Sequence, residues 1–413
     1  MVDKSNSILV VGFNTRPLVY SLNKAGYDVY AIDFFGDLDL IPYVKDCIIV
    51  SKELQADYNS LKDHYSKYLA SFAIKFLQKH QDIEFFLIGS GLDDAYEERG
   101  CISNEAETFG IKSVNNDLAV IKKARNIDFI LKFLKSLDFK IPIFCSFEDF
   151  ELKNVRLEFP LILKKKRSAG GINVFKIKDE SSFEFHVKGL RMKDFDPSEW
   201  IIQEFIEGIP ISCTVISDGK ECEVVSINRQ IIGEKFLNPP KNFMYCGNIV
   251  PAGLSKNEEK KISEISIILT KELGLKGVNG FDFVLKNQYP YFMECNPRIP
   301  GSIRASESVF NLNLLDLHVK SYTTSNWRSI KNLIKSATPK SITTKLVLFA
   351  PKDIDIPLLC EINNLGFIHD KTEPNRNVLK GEPLCTILYG ADNLIESFDG
   401  AKKIIKKINK IIE

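Results

Sequence analysis

Near position 290 the chain reads YFMECNPRIPGS, with Glu294, Asn296 and Arg298 at alternate positions and a Pro- and Gly-rich break behind them. In an extended strand, residues two apart share a face. An acid, an amide and a base therefore point together, while Cys295 and Pro297 point away. Just upstream, GFDFVL sets one acid, Asp282, in an otherwise apolar run, and KNQYP joins the two segments as a hairpin. Register decides whether the acids meet, because a slip of one residue reverses a side chain. A three-residue loop, Asn287 to Tyr289, sets Asp282 opposite Glu294 and on its face, whereas a two-residue Asn287-Gln288 loop does not. The longer loop is the expectation.

Two carboxylates and an amide oxygen on one face form a hard-oxygen site of the kind that holds Mg²⁺, or Mn²⁺ in its place, together with substrate phosphates. Arg298 beside them offers paired hydrogen bonds to a phosphoryl group or a carboxylate. A surface hairpin with ordinary polar alternation has the same pattern, so other segments must decide.

One is LILKKKRSAGGINVF, where Lys164 ends an apolar strand and Ser168 to Gly171 form a turn. Gly170 and Gly171 leave backbone N–H groups open to an anion. The segment lacks the Gly-Lys-Ser/Thr ending of a P-loop and leads into a strand; a plain Gly-Gly hairpin is the other reading. Another is WIIQEFIEGIPIS, an apolar strand interrupted by Gln203, Glu204 and Glu207. Such a connector can give backbone amides to an adenine and a carboxylate to ribose hydroxyls, although Glu207-Gly208 is also a good turn.

The elements that must position these groups follow a recognisable grammar. SILVVGFN is a continuous apolar run, Pro17 to Lys24 reads as helix, and YDVYAIDFF as a second strand; YSKYLASFAIKFLQKH and IEFFLIGSG repeat the unit. This is the βαβ pattern of a parallel sheet. Ligands of such sheets bind beyond the carboxyl ends of the strands, here at Asn14 to Arg16 and Ser90 to Asp93. GFNTRP has one glycine where a dinucleotide fingerprint needs three, which argues against NAD. From Asn116, LAVIKKARNIDFILKFLKSLDF reads as one long amphipathic helix with its exit marked by Pro142. NEEKKISEISIILTKELGL and ESFDGAKKIIKKINKII read as further helices, the last with a solvated basic face.

With 413 residues, two or three packed domains are expected. A formal charge of +1 recommends neither nucleic acid nor an anionic membrane. No apolar stretch reaches bilayer length and no leader pattern opens the chain, so a cytoplasmic protein is expected. Nine Cys without a CxxC pair and five His without ligand spacing argue against zinc or iron–sulfur sites and for reduced thiols.

Taken in order, Lys, Gly-rich turn, QEFIEG, acid and ECNPR resemble the ATP-grasp family of carboxylate-amine ligases, including its biotin-carboxylase-like and tyramine-glutamate-ligase-like branches. The resemblance runs from Val114 to Ser325, with ECNPR its most specific part. It implies a mixed α/β and α+β architecture: an N-terminal parallel α/β (pre-ATP-grasp) domain over 1–115, an ATP-grasp fold of two α+β subdomains over 116–325 with a flap near 155–205, and a small C-terminal strand-rich domain over 340–413. ATP would lie between the subdomains. Lys164 would contact the phosphates and the adenine edge, with Ser168, Gly170 and Gly171 in a flap above them. Gln203, Glu204, Phe205 and Ile206 would form the adenine hinge, with Glu207 on the ribose. Asp282, Glu294 and Asn296 match the Mg²⁺ ligands and Arg298 the arginine facing the transferred phosphate.

Arg229 and Gln230, in SINRQIIGEKF, match the region near the acyl substrate, and Arg16 and the GSGLDD loop fall on the acceptor side. One departure stands out. Relatives often carry Asp-Lys where this chain has Asn126 and Ile127; either Lys122 or Lys123 replaces that cation, or the phosphates are held more weakly. The activity implied is ligation of a small-molecule carboxylate to an amine through an acyl phosphate, with no nucleic-acid or membrane partner and a homodimer compatible with the pattern. A carboxylase that activates bicarbonate, and a catalytically silent ATP-binding regulator, are the alternatives.

Overall fold

The computed structural model describes residues 6–168, 170–193 and 195–413; Ala169, within the expected phosphate turn, lies outside them. The first apolar runs form a parallel five-stranded sheet: β1 (Ser7–Gly12), β2 (Asp28–Asp33), β3 (Asp46–Ile49), β4 (Phe85–Ile88) and β5 (Lys112–Ser113), in the order β3-β2-β1-β4-β5. All six residues of β1 are buried, as expected of a strand covered on both faces. Sheet order reverses between β1 and β4, so the loops that follow them meet at the carboxyl edge, where Phe13 N–H donates to Ser90 O at 2.8 Å.

A second, antiparallel sheet of β6 (Phe144–Ser146), β7 (Leu161–Lys165), β8 (Val174–Ile177) and β9 (Trp200–Glu204) runs β6-β9-β7-β8 over its own small core of Phe147, Leu163 and Ile202. The third sheet has eight strands: β10 (Ile209–Asp218), β11 (Cys222–Ile232), β12 (Tyr245–Val250), β13 (Lys276–Lys286), β14 (Tyr289–Asn296), β15 (Ile342–Phe349), β16 (Ile368–His369) and β17 (Pro383–Ala391). The C-terminal strands expected as a separate unit continue this sheet, because β15 pairs antiparallel with β12. They keep a core of their own with the helix Leu394–Ile412. Among the described residues no helix is long and apolar enough to cross a membrane.

Two local departures from expectation matter for the site. The β13–β14 turn is the two-residue Asn287-Gln288 version, with both residues in the left-handed region at φ 50° and 65°, the geometry of a tight hairpin. That register alone would turn Asp282 away from Glu294. A bulge at Met293 restores the parity: Phe283 faces Phe292, Met293 is extra, and Asp282 faces Glu294. Pro290 fits the ladder because β14 is the sheet's edge strand.

The long helix expected from Asn116 onward is two helices, Leu118–Ala124 and Ile127–Ser136. Asn126 causes the break. Its side chain accepts from Phe129 N at 3.1 Å and so caps the second helix in place of continuing the first. By contrast Lys256–Leu273 runs uninterrupted between a Ser255–Glu258 capping box and Gly274.

A buried histidine ties the N-terminal sheet to the central one. His318 Nδ1 accepts from Val278 N at 2.9 Å, and its other ring nitrogen sits 2.8 Å from Val114 O. Burial holds its pKa down at about 4. The unfolded chain therefore binds a proton between pH about 6.5 and about 4 that the folded chain refuses. Stability should fall by up to about 3 kcal/mol on acidification through this window. Urea midpoints measured across it should show a shallower acid slope in His318→Gln; an unchanged slope would assign the loss to other groups.

Candidate active site

The bulge brings Asp282 and Glu294 side by side, and Asn296 Nδ2 donates to Asp282 Oδ2 at 3.0 Å. Gln230, two strands away on β11, donates to the other Asp282 oxygen at 3.0 Å. Burial first, and then the Glu294 charge, push the Asp282 carboxyl up to about 7. Among the described residues no three His, Cys, Asp or Glu side chains converge on a common point; the donor set is two carboxylates and an amide. It fits a hard divalent cation, since Asp282 is bonded by two amides and repelled by the Glu294 charge, a repulsion that a cation between them would relieve.

Arg125 is the cation that sequence reasoning missed. Placed at the break between the two helices and almost wholly buried, it makes a bidentate pair with Asp94, Nε to Oδ1 at 3.0 Å and Nη2 to Oδ2 at 2.8 Å. The same guanidinium bonds Glu294 and donates to Ser168 O at 2.8 Å. Lys123 turns away instead, to Glu272 at 2.8 Å. Lys122 lies over Tyr96 and lines a neighbouring surface cavity of about 490 Å³ that also borders Arg125, Lys166 and Arg167. Arg298 pairs with Asp93. Successive acids of the GSGLDD loop thus hold the two arginines at the carboxyl edge of the first sheet. Burial pushes Asp93 up, but Arg298 and Arg125 outweigh it and leave it below the ordinary range.

Lys164 reaches the same cavity from β7, its Nζ 3.4 Å from Met293 O. Burial, countered in part by Glu294, holds its pKa down at about 8. Gln203 faces the same side, because it pairs across the ladder with Ile162, two residues before Lys164. Its Nε2 touches Met293 Sδ at 3.5 Å while its buried Oε1 has no partner among the described residues. The cavity between these groups measures about 80 Å³ and is lined on its apolar side by Ile127, Ile130, Val174 and Met293.

Above it, Ser168, Gly170 and Gly171 belong to the turn between β7 and β8. Gly171 has φ +75°, and a Cβ there would stand 1.9 Å from Phe243 O, so no other residue fits without moving the turn. Lys241 Nζ donates to Ile172 O at 2.8 Å and holds the turn from the other side. The expected hinge is partly engaged within the protein: Glu204 N–H bonds Ile143 O at 2.8 Å and Phe205 N–H bonds Pro160 O at 3.3 Å. Ile206 N–H has no partner among the described residues. Glu207 is exposed beside it.

Arg229 does not join the site. Strand alternation sends it to the face opposite Gln230, where it is exposed. Arg16, at the end of the first loop, is buried in a separate cluster with Asp39 and Asp370.

Residues 128–302 match the family model of the ATP-grasp domain. Over 92% of its length the chain is 26% identical to an uncharacterized protein of Methanocaldococcus jannaschii, covering 87% of it. Over 52% of its length it is 26% identical to a D-alanine–D-alanine ligase of Leptospira interrogans, covering 65% of that enzyme. The fold is shared with the L-amino acid ligase from Bacillus licheniformis, at TM-score 0.69, 15% identity and 97% coverage of both chains. It is shared also with N5-carboxyaminoimidazole synthetase from Staphylococcus aureus complexed with ADP, at TM-score 0.67, 16% identity and 97% coverage of both. The match over residues 128–302 and the shared fold identify an ATP-grasp domain within this chain, with Glu294, Arg125, Lys164 and the glycine turn lining one of its cavities.

Proposed function

We propose that the protein is an ATP-dependent ligase that activates a substrate carboxylate as an acyl phosphate and transfers the acyl group to an amine. The observation that carries this reading is the convergence of Glu294, Arg125 and Lys164 around one cavity beneath a glycine turn, with Asp282 paired to Glu294 across the ladder behind it. Metal-binding acids alone would suit many proteins. Acids interleaved with buried cations suit a polyphosphate whose charge shifts during reaction.

ATP fits the residues present. The apolar wall of Ile127, Ile130, Val174 and Met293 suits a purine ring, and the unpartnered Gln203 Oε1 can accept from an exocyclic amine. The present cavity is below the ~300–1,000 Å³ of ligand pockets, so nucleotide entry requires Ser168, Gly170 and Gly171 to move away from it and return. Asp282, Glu294 and Asn296 would hold Mg²⁺, which when bound offsets phosphate charge. Arg125 and Lys164 share that task from the protein side, and the reclosed turn keeps water from the acyl phosphate.

In the first step the carboxylate oxygen bonds the γ-phosphorus as the bridging P–O bond to ADP breaks. In the second the amine nitrogen bonds the acyl carbon, phosphate leaves with the C–O electrons, and the nitrogen gives up a proton. Arg298, 3.2 Å from Ile299 O and paired to Asp93, stands where it can orient the carboxylate between these steps.

ADP release from MgATP, measured with pooled carboxylates and amines and with bicarbonate added or withheld, tests the proposal. Release should require an acid and rise when an amine is present. Release driven by bicarbonate without an amine would replace ligation with carboxylation.

A further inference from the structure

Beyond the phosphate side of the cleft, the β1 and β2 loops meet the C-terminal strands in a cluster of buried charge. Asp33 fixes the two loops together: its carboxylate accepts from Thr15 N at 2.6 Å, Thr15 Oγ1 at 2.8 Å, Phe35 N at 2.9 Å and Gly36 N at 2.7 Å. This sets Arg16 and Asp37 toward the same junction. Arg16 Nε donates to Asp370 at 2.8 Å and lies 3.5 Å from Asp39, and Asp39 in turn accepts from Asp370 N and Lys371 N at 3.2 and 2.9 Å.

Asp37 is left over. It is 7% exposed, yet its carboxyl makes neither a hydrogen bond nor an ion pair with any described residue. Burial, and then the charges of Asp370, Asp33 and Asp39, push its pKa well above the ordinary range, and the cation that acts on it, Arg16, is already engaged. A buried acid without a partner is costly unless a ligand completes it. The β1 loop carries a second buried acceptor without a donor among the described residues, Asn14 Oδ1.

Lys345 links the junction to the segment that follows Arg298, because it feels the charges of Asp370 and Arg16. Lys345 Nζ donates to Gly301 O at 2.9 Å, just past Arg298, and stands 5.7 Å over the Tyr245 ring. Tyr245 feels both the Asp282 and the Asp370 charges, and its hydroxyl bonds Asn248 on the polar face shared with Gln230.

We propose that this junction is the binding site of the amine substrate, a primary amine that arrives in its ammonium form and is taken by Asp37. The assignment rests on the ligase reading above and names the side of the cleft from which the nucleophile comes. A primary amine is protonated at neutral pH, so it brings the positive charge and donors that Asp37 lacks.

The test uses the full chain with MgATP and pooled carboxylic acids, and two kinds of acceptor. Hydroxylamine traps an acyl phosphate as a hydroxamate without needing an ammonium site; a panel of alkylamines and amino-acid amides supplies the ammonium form. Asp37→Asn keeps shape and removes the charge. The expected result is unchanged hydroxamate formation and a KM for amine raised tenfold or more, the loss typical of a charged hydrogen bond. Retained hydroxamate formation with an unchanged KM for amine would overturn the assignment. So would loss of hydroxamate in Asp37→Asn alone, which would tie Asp37 to carboxylate activation or to folding. Absence of hydroxamate in the unaltered protein would overturn the ligase reading itself, and this assignment with it.

Discussion

Glu294→Gln is expected to lower MgATP-dependent ADP release by a factor on the order of 100 or more while leaving a folded protein. The amide keeps the volume of the side chain and a hydrogen-bonding group beside Arg125, so the change is one of charge. Two effects then add. The oxygen pair facing the proposed Mg²⁺ site loses one of its two carboxylates. Lys164 also loses the neighbour that partly offsets its burial, so its pKa must fall from about 8 and the ammonium must be less populated at neutral pH. A shift of the pH profile to the acid side would report the second effect, and a loss that persists at every pH would report the first. Circular dichroism melting of the variant checks the fold. Turnover equal to that of the unaltered protein would remove Glu294 from the site.

How far the sequence reaches is best judged at this same pair. Alternation in ECNPR and the lone acid in GFDFVL identified which residues meet, because core-facing parity in a hairpin is a strong constraint. The route by which they meet was not legible. Asn287 and Gln288 adopt left-handed φ in a two-residue turn, and the parity error is cancelled by a bulge whose extra residue, Met293, carries no special signature. Parity likewise decides between adjacent Arg229 and Gln230: only one of two neighbours on a strand can face Asp282, and the structure selects the amide.

Arg125 was hidden for a different reason. ARNIDF fits helical spacing, and a basic residue on a helix is ordinarily a solvated one. The signal present was Asn126 followed by an acid in the first turn, Asp128, the pattern of a helix start. Read that way, Arg125 becomes a helix end free to turn inward. Its partners, Asp94, Glu294 and the carbonyl of Ser168, come from segments far apart in sequence, and no local pattern announces such a meeting. The same holds for Asp37 and Asp370, which long-range packing alone brings together.

Arg125→Met should therefore be the most disruptive single change near the cavity, in stability and in ligand binding together. Removing the guanidinium strips Asp94 of both its hydrogen bonds and Glu294 of its counter-charge. The two acids left behind are 25% and 38% exposed, so solvent screens them and the loss should fall below the ~3–5 kcal/mol of a fully buried pair broken from one side. It also releases Ser168 O, one of the tethers of the glycine turn, which leaves Lys241 on Ile172 as a remaining hold. Trypsin should then cut faster at Lys165, Lys166 or Arg167, all next to that turn. Arg125→Lys separates charge from geometry: one ammonium cannot reproduce a bidentate bond to Asp94 while also reaching Glu294 and Ser168. The lysine variant should regain part of the stability and less of the ATP affinity. Removing the positive charge in Arg125→Met lets the Lys164 pKa rise, since Arg125 helps to depress it, the opposite of what Glu294→Gln does. Opposite displacements of the pH profile in the two variants would show Arg125, Lys164 and Glu294 acting as one electrostatic unit; ATP affinity and tryptic rate both unchanged in Arg125→Met would limit this arginine to holding the fold.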